Sequence, residues 1–125
     1  METEADITRR RHVNSRRFSW HEHLLRDPGV NKRPNALVIA GHLMHRFRPD
    51  LGYAEVSHGE VARLFYMPVA SSKRSMKFLI DRGWVIVVDQ WKPGAGHRAN
   101  RYAFGNGPEG LSLADHEPGI YDETV

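Results

Sequence analysis

Residues Ser57 to Gly83 read SHGEVARLFYMPVASSKRSMKFLIDRG, and their punctuation leaves few ways to fold. Ser57 followed by Glu60 is a capping box. The hydroxyl accepts from the backbone N–H three residues on, and the carboxylate reaches back to the cap. Val61, Ala62, Leu64 and Phe65 then recur at helical spacing, with Arg63 pointing away. Tyr66-Met67-Pro68 stops this helix, because the residue before a proline is driven out of the α region while proline itself suits a helix start. A second helix is expected over Pro68–Arg82, with Gly83 as its stop. At 100° per residue, Val69, Ser72, Met76, Leu79 and Ile80 share its buried face. Ala70, Arg74, Lys77, Phe78 and Asp81 lie opposite, bordered by Ser71 and Lys73.

Trp84 to Trp91 (WVIVVDQW) is β-branched and aromatic, as a strand is. A glycine-rich turn, Lys92 to His97, leads to a return strand over Arg98 to Phe104. Between Gln90 and Asn106 there is no acidic residue, and Lys92, His97, Arg98 and Arg101 make the hairpin basic. An alternative is an ordinary charged hairpin that protects a sheet edge from aggregation.

The block SHGEVARLFYMPVASSKRSMKFLIDRGWVIV resembles the winged helix-turn-helix superfamily of bacterial and phage DNA-binding proteins. The resemblance spans about Asn35 to Phe104 and rests on Ser57, Val61-Ala62, Ser71, Leu79, Gly83 and Trp84. The chain departs at the corner, where the family has a glycine and then a hydroxyl cap; here stand Tyr66 and Pro68. The resemblance implies an α+β fold: a three-helix core, a small antiparallel sheet with a wing, and here an extra short N-terminal helix. It also implies double-stranded DNA as partner, with Pro68–Arg82 in the major groove. Small, hydroxylic and cationic residues suit that role, so Ser71, Lys73, Arg74 and Lys77 are the expected contacts. Lys92, His97, Arg98 and Arg101 would serve from the wing, along phosphates or in the minor groove.

Charge is unevenly spread. Of 18 Lys/Arg and 15 Asp/Glu, five acids and no cation lie beyond residue 104, so residues 1–104 carry a net +8. A body this basic attracts polyanions. Residues 1–17 hold Arg9, Arg10, Arg11, Arg16 and Arg17 and read as a flexible arm that adds phosphate contacts. Residues 18–104 form the expected domain, and 105–125 an acidic, irregular tail. Ser19 and Glu22 repeat the capping-box pattern and predict a short helix ending near Arg26, before the turn Asp27-Pro28-Gly29. Val30–Arg33 reads as a linker. Asn35–Phe47 is the first core helix, with Leu37, Ala40, Met44 and Phe47 inside. Val38 and Ile39 fall on its far side, which calls for a second cover: either the Trp20–Leu25 helix or a second protomer. The resemblance, since winged-helix proteins often pair through peripheral helices, implies a homodimer through the N-terminal helices as one of these two expectations. Pro49–Gly52 is a turn and Tyr53–Val56 a strand.

No enzyme is expected. His21, His23, His42 and His45 do not make a three-ligand set. Pro93–Gly96 lacks the lysine and helix of a phosphate loop. No serine has a nucleophile's strand–elbow–helix setting. Trp84, Trp91, Tyr102 and Phe104 could stack single-stranded bases, but strand spacing makes them core, and Phe78 has no evident place. No cofactor is implied. There is no cysteine, and no apolar run near the about 20 residues a membrane span needs, so a cytoplasmic protein is expected. Transcriptional regulation is the expected role. Origin binding by a replication initiator, and protein interaction without DNA, are the alternatives.

Overall fold

The structure, a computed structural model, describes residues 3–94, 96 and 99–108, and for residues 9–15 the backbone alone. The described residues form an α+β body of four helices and a four-stranded antiparallel sheet. The chain order is α1 (Glu4–Leu25), α2 (Pro34–Arg46), β1 (Phe47–Arg48), β2 (Tyr53–Val56), α3 (His58–Phe65), α4 (Val69–Asp81), β3 (Val85–Asp89) and β4 (Asn100–Phe104). The strand order is β1-β2-β4-β3. None of the helices is long and apolar enough to cross a membrane.

The N-terminal region departs from expectation. Instead of a flexible arm and a short helix from Ser19, one helix runs from Glu4 to Leu25. Thr3 and Asp6 form the capping box that starts it, with Asp6 N–H donating to Thr3 Oγ1 (3.1 Å) and Thr3 N–H to Asp6 Oδ2 (3.2 Å). No glycine or proline interrupts the chain before Pro28. Ser19 and Glu22 sit mid-helix, and the buried Ser19 Oγ has no partner among the described residues. The C-terminal half of α1 carries Trp20 and Leu24 into the core, both fully buried.

The inward stripe of α2 is Ala36, Ile39, Ala40 and Leu43, continuing to Phe47, rather than Leu37, Ala40, Met44 and Phe47. Residues 36–40 are all apolar, so periodicity alone did not fix the phase. Leu37, Val38 and Met44 are only partly buried against the core. The second cover on α2 comes from this chain's own α1. Arg17 on α1 donates to the carbonyls of Met44 (3.4 Å) and Phe47 (3.3 Å), satisfying acceptors that the end of α2 leaves open.

α3 starts as expected, with Ser57 Oγ accepting from Glu60 N–H (3.1 Å). The Glu60 carboxylate does not return to the cap. It binds Arg46 and lies 3.5 Å from His42 Nε2, tying α3 to α2. The corner is tight because Tyr66 takes the left-handed conformation (φ 55, ψ 47), where glycine is the unstrained choice. Its side chain is 95% exposed, so it gains no burial in return. Tyr66→Gly should therefore raise stability by about 0.5–1 kcal/mol in urea denaturation; a loss of similar size would show that the phenol ring matters to the fold.

Trp84 is the hub of the core. Its indole N–H donates to Asp27 Oδ2 (2.7 Å), and its carbonyl accepts from Trp20 Nε1 and Gly105 N (both 2.9 Å). Gly83 (φ 86) makes the reversal from α4 into β3, and Gly107 lies so close to the Trp84 ring that an added Cβ would sit 2.6 Å from it. Phe104 stacks on Trp20 (4.2 Å) and on Phe47 (4.4 Å), and Tyr102 is buried beside them. Trp84, Tyr102 and Phe104 are thus core, whereas Trp91 is exposed. Strand β3 is the outer edge of the sheet. Only Val85 is buried on it, and its register with β4 shifts between Val87 and Asp89.

Candidate nucleic-acid interface

The cationic surface of α4 follows from how the helix is buried. Ser72, Met76 and Leu79 face the core, and Ser72 Oγ shares a 2.8 Å hydrogen bond with His58 Nδ1 on α3. Burial, and then the neighbouring Lys73, lowers the His58 pKa, so its ring is neutral at physiological pH. The opposite side exposes Ala70, Lys73, Arg74, Lys77 and Asp81, one stripe along the helix. Val69, expected inside, is exposed as well, as are Leu64, Phe65 and Tyr66 at the preceding corner. With Pro68 as N-cap, α4 has no side-chain acceptor at its start, and its first turn contains no acidic residue. The helix dipole there is uncompensated and favours an anion.

Three of the four expected groove residues share the open stripe. Lys73, Arg74 and Lys77 are exposed, while Ser71 is half-buried and its Oγ accepts from Arg74 Nη2 (3.2 Å). Lys77 meets Asp81 one turn on (2.8 Å), an exposed pair of small energetic weight. Phe78 now has a place. It turns to the side of the stripe, and the Arg33 guanidinium lies over its ring, 3.9 Å from the centroid.

The expected hairpin residues divide. Lys92 is exposed. Arg101 lies on the outer face of the sheet, where its Nε donates to Glu55 Oε2 (2.9 Å) and its guanidinium covers the Tyr53 ring (4.9 Å). The hydrogen bond to Glu55 raises its pKa against the opposing effect of burial. His97 and Arg98 lie outside the described residues. Of the arm residues, Arg16 is exposed, and Arg17 is committed to the end of α2. Arg9, Arg10 and Arg11 belong to α1 by their backbone, and their side chains lie outside the described residues, as does the acidic segment 109–125. The histidines are dispersed, and among the described residues no three His, Asp or Glu side chains converge as metal ligands.

No protein-family model, curated protein or solved structure matches this chain.

Proposed function

We propose that this chain is a winged helix-turn-helix protein that binds double-stranded DNA with some sequence preference, acting in the cytoplasm as a transcriptional regulator. In this reading α3 and α4 are the helix-turn-helix, α4 enters the major groove, and the β3–β4 hairpin is the wing. The observation that carries it is the exposed stripe Ala70-Lys73-Arg74-Lys77. Its small first residue lets the backbone approach base edges, and its cations reach edges and phosphates. Origin binding would use the same surface.

The homodimer expected from the N-terminal helices loses its original ground, since α1 already covers the second apolar side of α2. The reading needs no second copy. The exposed Leu64, Phe65, Tyr66 and Val69 favour the protein-interaction alternative. The two are separated by measuring binding to random and selected duplexes at two salt concentrations. A DNA-binding protein should lose affinity steeply with salt, by about 0.9 log units per log unit of salt for each phosphate contact. Absence of any salt-dependent DNA binding would leave the interaction module as the better reading.

A further inference from the structure

Between the start of α2 and the flank of α4 runs a cleft of ≈ 380 Å³, bounded by Lys32, Arg33 and Asn35 on one side and Ser71, Arg74 and Ser75 on the other. At ~30 Å³ per water molecule it would hold about a dozen, enough for a phosphate with a sugar beside it. Among the described residues, no carboxylate lines it. Among the described residues, Lys32, Arg33 and Arg74 have no acidic partner. Three cations brought together without a counter-charge repel one another, and an anion between them removes that cost.

Two of these cations are already oriented. Arg33 lies against Phe78 (3.9 Å), which fixes the plane of the guanidinium and leaves its N–H edge free. Arg74 is tethered to Ser71 Oγ (3.2 Å). A guanidinium held in plane presents parallel donors that match two phosphate oxygens. The wall is completed by the first turn of α2, which has no side-chain cap and no acidic residue.

We propose that this cleft is a phosphate seat: it takes one backbone phosphate of the duplex alongside α4, with Lys32 and Arg33 as its cations, Ser71 and Ser75 as hydroxyl donors, and Arg74 at its rim, free to reach the groove. The duplex as source of that phosphate rests on the DNA-binding reading; the anion chemistry of the cleft does not. The seat contacts no base edge. Lys32 and Arg33 therefore add affinity without sequence preference, and only Arg74 connects the seat to the groove-facing stripe.

The test uses the full chain and its Lys32→Ala/Arg33→Ala variant in two arms. In the first, affinity for random and preferred duplexes is measured across a salt series. The variant should bind both about three- to tenfold more weakly, by a similar factor, with a salt slope shallower by about one unit. In the second, inorganic phosphate is titrated against chloride at equal ionic strength while backbone amide resonances are followed. Shifts confined to Ala36, Ser71 and Ser75, and lost in the variant, support the seat. Both substituted side chains are exposed, so an unchanged thermal unfolding curve is expected and excludes a folding defect. Wild-type DNA binding with no change of affinity or slope in the variant overturns the proposal. If the wild type binds no duplex, the DNA reading fails, and the phosphate arm decides: cleft-confined shifts keep the seat for a free phosphate, and their absence overturns it.

Discussion

Asp27→Ala is expected to destabilise the protein by about 3–5 kcal/mol, because it leaves a buried charge network without its anion. Asp27 is fully buried, and its carboxylate accepts from four donors on three residues. Arg82 gives two of them, Nε (2.7 Å) and Nη2; Trp84 Nε1 (2.7 Å) and Gly29 N–H (2.9 Å) give the others. Set against a total stability of about 5–15 kcal/mol for an ordinary domain, the loss should be plain in the midpoint of urea unfolding. The network also has a pH signature. Burial alone would push the Asp27 carboxyl up, but the hydrogen bonds from Arg82, Trp84 and the Gly29 amide outweigh it and hold the pKa below the ordinary value. A depressed carboxyl stabilises the fold above the unfolded value of about 3.9 and loses that contribution as pH falls through the folded value. The wild type should therefore weaken on acidification below about pH 4, and Asp27→Asn should show a shallower dependence there. An Asp27→Ala variant as stable as wild type would mean that the network contributes nothing net.

The second large effect is on binding. Replacing Lys73, Arg74 and Lys77 together by alanine should lower affinity for a preferred duplex by about two to three orders of magnitude. That combines about 1–3 kcal/mol for one arginine at a base edge with the loss of phosphate contacts at the other two positions. The salt slope should fall by about two units. Stability should change little, since all three side chains are exposed and the single pair broken, Lys77–Asp81, lies in solvent. Arg74→Ala alone should cost more on the preferred duplex than on random DNA, whereas Lys77→Ala should cost about the same on both. Wild-type affinity in the triple variant would remove α4 from the interface altogether.

How much of this was legible in the sequence depended on the kind of signal. Ser57, Pro68 and Gly83 are punctuation with local physical causes, and the elements they bound lie within a residue of expectation. Tyr53–Val56 and the hairpin were equally plain from β-branched and aromatic residues. The exposed side of α4 followed from its period, apart from Val69, which is exposed, and Phe78, which is half-buried against the core. Other features were invisible for definite reasons. The capping box at Thr3 and Asp6 was present, but the five arginines of residues 1–17 suit a solvated arm equally well. The phase of α2 was ambiguous because its apolar run is continuous. Asp27 looked like a turn residue, which locally it is: its side chain caps the Gly29 amide. Its bonds to Arg82 and Trp84 span 55 and 57 residues, and no local pattern encodes contacts at that separation. For the same reason Lys32 and Arg33 looked like linker until folding set them beside Arg74.

Arg82 is the residue at which α4 ends, and it is fastened to Asp27 on the loop between α1 and α2. The aim of the basic helix is thus set from its rear, by a carboxylate that no ligand would touch. If α4 binds DNA as proposed, a survey of variants scored only by retention of DNA would class Asp27 and Gly29 with the contact residues, although any side chain at Gly29 would merely displace Arg82, whose Cζ lies 2.5 Å from where a Cβ would stand. Scoring heat resistance in parallel would sort the mounting from the tool.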